Sequence, residues 1–124
     1  MNEIIVILPL PNWKLSPNQS KGKSWRTTNA IKKADIDIGF NSAPSGMLFD
    51  EKAEFYVTLG FFLDSNRKDL DNLISSSKAM IDGLFRGLGI NDNRIVKLKA
   101  YKIKDTEYQR LELILKELKW TYNW

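Results

Sequence analysis

Residues 53–63 read AEFYVTLGFFL, and residues 64–95 continue as DSNRKDLDNLISSSKAMIDGLFRGLGINDNRI. In the first segment Phe55, Val57, Leu59, Phe61 and Leu63 share one face, and Tyr56, Thr58, Gly60 and Phe62 share the other. A period of two over this length is a strand with one side turned to a core. In the second segment Leu70, Leu73, Ile74, Ser77, Ile81, Leu84 and Leu88 recur at helical spacing, which predicts a helix from Asp69 to Gly87. Gly87 and Gly89 supply its stop. A further alternating run, Ile95–Lys104, sets Val96, Leu98 and Ala100 against Lys97, Lys99 and Tyr101. Its phase slips near Lys102, which points to a bulge there.

Outward from this strand–helix–strand unit the signals are shorter. EIIVIL at residues 3–8 is a β-branched run closed by Pro9 and Pro11, a strand. The chain from Pro11 to Thr28 has loop composition, and Thr27, Thr28 or Asn29 can cap a helix from Ala30 to about Ile38. Residues 41–51 form another loop. Asp105–Tyr108 makes a turn, and Leu111, Leu113 and Leu115 mark a last strand, expected to pair with Ile95–Lys104 as a hairpin. The order is β-α-β-α-β-β: an α+β fold, with a mixed four-stranded sheet and two helices, in a single domain spanning 1–124. The tail KWTYNW carries Trp120, Tyr122 and Trp124, suited to packing on the body or a sister subunit, or to base stacking.

Composition excludes several chemistries. Among 124 residues there is no Cys and no His, so disulfides, Cys–zinc sites, thiol catalysis and Ser-His-Asp catalysis are all absent. The net charge of +4 suits a polyanionic partner without requiring one. No apolar run reaches a membrane span, and MNEIIVILPLP, with Glu3 and no basic start, is a poor signal peptide. The expectation is a soluble cytoplasmic protein.

The chemistry concentrates at Asp69-Leu70-Asp71, which follows a strand, opens a helix and sits beside Arg67 and Lys68. Carboxylates bind hard divalent cations, and adjacent bases attract phosphate. Spacing alone proves little, because Asp35-Ile36-Asp37 has it too; those two read best as a solvated helix face. Helix capping explains one of Asp69 and Asp71 but explains both less well, because adjacent like charges repel. Lys78 lies seven residues after Asp71, on nearly the same helix face, and Ser75 and Asp82 share that polar stripe. A lysine there either offsets the carboxylates, stabilises a phosphate or is merely solvated. Asp92, in Asn91-Asp92-Asn93, is ordinary turn composition unless the turn folds back toward the helix start. Lys21, Lys23, Arg26, Lys32 and Lys33 cluster early, and Lys97, Lys99, Lys102 and Lys104 later. Either group serves solubility or, with Arg67 and Lys68, bounds a groove for duplex backbone. Gly22-Lys23-Ser24 is not a phosphate-binding loop, since Pro17 stands where that pattern needs Gly.

Asp69-Leu70-Asp71-Asn72-Leu73, then Lys78, Asp82-Gly83-Leu84 and Asn91-Asp92, resembles the RusA family of Holliday junction resolvases, small endonucleases common in phages and prophages. Leu8-Pro9-Leu10-Pro11, Ser16-Pro17-Asn18 and the basic segment through Trp25 and Arg26 are similar too, so the likeness runs from about residue 4 to 117. It implies a homodimeric enzyme dependent on Mg²⁺, with Mn²⁺ as a substitute, that cuts paired strands of a four-way DNA junction in a bacterial or phage-infected cell. The family's acids map onto Asp69, Asp71 and Asp92, and its lysine onto Lys78. The family often sets that lysine four residues after the second acid, where Ser75 stands here, as if about one helical turn had been inserted. The DNA-contacting bases would be Lys23, Arg26, Arg67, Lys68, Lys97 and Lys99.

Overall fold

The computed structural model describes residues 3–12, 25–50, 52–65 and 67–118. Its elements run β1 (Glu3–Leu8), α1 (Trp25–Ser42), β2 (Glu54–Leu63), α2 (Leu70–Leu88), a 3-10 turn (Asp92–Arg94), β3 (Ile95–Lys104) and β4 (Arg110–Leu118). This is the expected α+β order. α1 is longer at both ends than the sequence indicates, and it absorbs Thr27, Thr28 and Asn29 rather than being capped by them.

The sheet order is β1-β4-β2-β3. β4 runs antiparallel to both β1 and β2, while β3 pairs parallel with β2. The expected β3–β4 hairpin is therefore not formed. The physical reason lies in the side chains. Leu111, Leu113 and Leu115, all three buried, give β4 a face that is apolar until Glu117 near its end, which suits a central strand. β3 carries lysines on both faces and takes the sheet edge, where charge blocks further pairing. The 105–109 connection crosses the end of β2, held by a 2.7 Å bond from the Asp105 N–H to the Leu63 carbonyl. Asp105 Oδ1 closes the turn by accepting the Glu107 and Tyr108 N–H groups.

The bulge also moves. The β2–β3 register shifts between Phe55 and Tyr56, opposite Val96, and continues unbroken past Lys102. Beyond it Leu98, Ala100 and Lys102 share the helix-covered face with Val57, Leu59 and Phe61, and Lys97, Lys99 and Tyr101 share the open face with Tyr56, Thr58 and Gly60.

The core lies between one sheet face and the helices. Phe55, Val57, Leu59, Phe61 and Leu63 from β2 meet Val6 and Leu8, the three β4 leucines, and Leu73, Met80, Leu84 and Phe85 from α2. Phe55 packs edge-on against both Phe49 and Phe85, with ring centroids 5.2 and 6.4 Å apart. Each such fully buried side chain contributes roughly 1.5–3 kcal/mol. The two helices cross backbone to backbone: a Cβ at Gly39 would strike the Met80 carbonyl, and one at Gly83 the Ile36 carbonyl. Gly87 is part of this crossing, facing Ala43 and Phe40, and so is not the helix stop. Gly89 alone ends α2, at φ 75°, its N–H bonding the Arg86 carbonyl. Asp35, expected to be solvated, is buried in the same layer at 5% exposure; Asp37 is exposed.

No helix among the described residues is long and apolar enough to cross a membrane.

Candidate functional site

β1, β2 and β3 run in one direction, so α2 starts at their carboxyl ends and carries the chain back to their amino ends. Asp69 occupies the N-cap position of α2, its carbonyl accepting the Leu73 N–H at 3.1 Å. Its carboxylate makes no capping hydrogen bond. Asp71 lies in the first turn, exposed. Neither side chain is consumed by capping, and both gain from the positive helix end, by about 0.3–1 kcal/mol each. Arg67 and Lys68 precede them, exposed, and Lys102 Nζ ties this loop to β3 by donating to the Lys68 carbonyl at 2.9 Å.

The triple serine that follows divides its roles. Ser76 Oγ and Ser77 Oγ are buried and return hydrogen bonds to the Asn72 and Ile74 carbonyls. Ser75 is left exposed beside Lys78. Between α2 and the edge strand β3 runs a cleft of about 280 Å³. Val57 and Leu59 form its floor, Ile74, Lys78 and Asp82 line the helix wall, and Leu98 lines the strand wall, with Asp92 at the foot. A second cleft of about 400 Å³ starts at the same two acids and runs past Arg86 and Ile90 at the C-terminal end of α2. Asp82 and Asp92 thus sit where the two clefts meet. Their carboxyl groups lie within hydrogen-bonding reach of each other. Burial, then the Asp92 hydrogen bond and charge, raise the Asp82 carboxyl above its ordinary range, and Lys78 and Arg86 partly offset this.

The Asn91 side chain caps the 3-10 turn at the Asn93 N–H, 3.1 Å away, and so fixes where Asp92 emerges. That place is beside Asp82, not at the start of α2. Asp71 and Asp82 are eleven residues apart on one helix, about 16 Å along the axis at about 1.5 Å per residue. Ligands of one Mg²⁺ lie about 2 Å from it. Asp69, Asp71 and Asp92 of a single chain therefore do not surround one cation, and no group of three or more acids that could hold a metal occurs among the described residues. The structure joins Lys78, Asp82 and Asp92, and leaves Asp69 and Asp71 at the other end of the stripe.

Asp82, which the sequence places on the polar stripe without a role in the site, is the residue the structure adds. Its signal is present, since it follows Lys78 by four residues on the polar face. The expected bases scatter. Lys97 and Lys99 point to the open sheet face, away from the α2–β3 cleft. Arg26 is exposed near the start of α1, and Lys23 lies outside the described residues, as does the tail with Trp120, Tyr122 and Trp124. Comparison of the sequence with models of known families and with curated proteins gives no match.

Proposed function

We propose that the chain is a metal-dependent endodeoxyribonuclease that acts as a homodimer on branched DNA, with the four-way junction as substrate. The observation that carries this reading is the polar line of Ser75, Lys78, Asp82 and Asp92 along an open cleft, with Asp71 on the same helix face nearer the start of α2. At its head, the amino end of α2 with Arg67 and Lys68 suits backbone phosphate. At its foot is a carboxyl pair.

The separation of the acids bears on how a site would form. Two copies related by a two-fold axis, with their α2 helices antiparallel, would set the Asp92 of each against the Asp69 and Asp71 of the other. Such a pair has two sites, and a junction has two strands to cut. Mg²⁺ or Mn²⁺ held there would polarise the phosphate and activate a water. In this reading Asp69, Asp71 and Asp92 hold the cation, Lys78 meets the charged phosphate as a point charge, and Asp82 orients Asp92. Such an enzyme would work in the cytoplasm of a bacterial or phage-infected cell.

The test is a labelled four-way junction incubated with and without Mg²⁺, beside a linear duplex of the same length. The junction is nicked only with the metal, and Asp71→Asn stops nicking while leaving junction binding intact or tighter. Normal cutting by Asp71→Asn contradicts the reading. The same separation of acids favours a second reading, a non-catalytic DNA-binding module of this fold. That protein would bind junctions with a steep salt dependence and no metal dependence. Three acids kept near phosphate without a cation would cost it affinity.

A further inference from the structure

The sheet face opposite the helices has no layer over it among the described residues, and its two halves differ. On β1 it presents Ile5 and Ile7, 60% and 46% exposed. On β2 and β3 it presents aromatic rings interleaved with lysines. Lys97 Nζ stands 5.3 Å from the centroid of Tyr56, and Lys99, on the same face one pleat further along, makes no ion pair with any described residue. The end of the Tyr101 ring lies over Gly60, where a Cβ would meet Tyr101 Oη and Cζ at 2.7 and 2.8 Å. Glycine at this strand position lets the ring lie down against the sheet. Phe62 is covered instead: the Arg110 guanidinium sits 3.8 Å from its centroid, pinned by Asp105 and Glu112 at 2.9 and 2.7 Å. Arg110 is thus held in place by two carboxylates, whereas Lys97 rests on Tyr56 at longer range and neither it nor Lys99 has a carboxylate partner among the described residues.

We propose that the β2–β3 half of this face is a platform for single-stranded nucleic acid, with bases stacked on Tyr56 and Tyr101 and phosphates at Lys97 and Lys99. Charge complementarity chooses the occupant, since Lys97 and Lys99 flank the rings with no carboxylate partner among the described residues, and Asp105 and Glu112 are already engaged by Arg110. Ring geometry chooses single strands over duplex, because a duplex hides its base faces within its own stack while an unpaired strand offers them. The platform does not depend on the nuclease reading, because it shares no residue with the α2–β3 cleft.

The experiment is fluorescence anisotropy of the full chain with labelled oligothymidylate over a range of salt concentrations. Wild-type protein binds, and more weakly as salt rises. Tyr56→Leu weakens binding about tenfold, the loss of one stacked base, while Tyr56→Phe keeps it. Lys97→Gln with Lys99→Gln flattens the salt dependence by about 1.4 in log–log slope, about 0.7 for each phosphate no longer neutralised. Asp71→Asn, which stops cutting in the nuclease reading, binds the oligonucleotide at wild-type strength or tighter, so a failed nuclease assay leaves this result readable. Three outcomes overturn the proposal: no oligonucleotide binding; binding that Tyr56→Leu and the double lysine variant leave unchanged; or a dimer by light scattering that Ile5→Glu dissociates in a protein that binds no oligonucleotide, which would make the face a self-contact.

Discussion

Gly83→Ala isolates the contact that sets the helix layer. A Cβ at Gly83 falls on the Ile36 carbonyl, with Ile36 Cα only 2.9 Å away. Overpacking costs about 1–3 kcal/mol where neighbouring side chains can yield. Here the atoms met are helix backbone, which cannot rotate aside, so the upper end, about 3 kcal/mol, applies. Alanine returns about 1 kcal/mol through its better helix propensity. The net loss is about 2 kcal/mol, and at about 4 °C per kcal/mol the melting temperature falls by about 8 °C. Gly89→Ala is the control. Its φ is 75° and nothing lies within 4 Å of the added carbon, so it loses only the left-handed backbone preference, about 1 kcal/mol. Urea titration and thermal melting followed by circular dichroism read both. A Gly83→Ala protein as stable as wild type, or less destabilised than Gly89→Ala, refutes the backbone contact between α1 and α2.

Other substitutions test separate parts of the structure. Burial raises the Asp35 carboxyl, against the smaller opposing effect of the Asn12 N–H that donates to it at 3.3 Å. A raised folded pKa means the stability is present at low pH and is lost as pH rises through that value, so Asp35→Asn stabilises at neutral pH and the gain vanishes below the ordinary aspartate value of 3.8; a loss at neutral pH in urea titrations would contradict this. Leu113→Ala, at a fully buried position in a central strand, costs about 2–5 kcal/mol, and a smaller urea shift would mean that β4 is not central. The Asp105 carboxyl is held below its usual range, first by Arg110 and then by the Glu107 and Tyr108 N–H groups. Its contribution is present at neutral pH and is lost as pH falls through its depressed value, so Asp105→Ala lowers the melting temperature at neutral pH and changes little in strong acid.

How much of the structure is legible in the sequence depends on the kind of interaction. β2 and α2 declare themselves by period, because each buries one face against a large core. α1 does not, because WRTTNAIKKADIDIGFNS is polar along most of its length and the helix rests on close approach at Gly39 rather than on an apolar stripe. A β3–β4 hairpin is the natural reading of two adjacent strands, yet the contrast between three leucines on β4 and lysines on both faces of β3 already separates a central strand from an edge. The polar stripe through Asp71, Lys78 and Asp82 is readable from helical spacing. The place of Asp92 is not, since it depends on which way the chain travels: a 19-residue helix between parallel strands spends the full height of the sheet before residue 92 is reached.

The nuclease reading turns on a site shared between two copies, and mixing two inactive variants tests it most directly. Asp71→Asn and Asp92→Asn are each purified, unfolded together and refolded as a mixture, then given a labelled junction with Mg²⁺. A shared site predicts that the mixed dimer regains nicking, because one of its two sites draws Asp69 and Asp71 from one copy and Asp92 from the other, all intact. A mixture that stays as inactive as either variant alone, while mixed dimers are present, would contradict this: the acids would not meet across two copies.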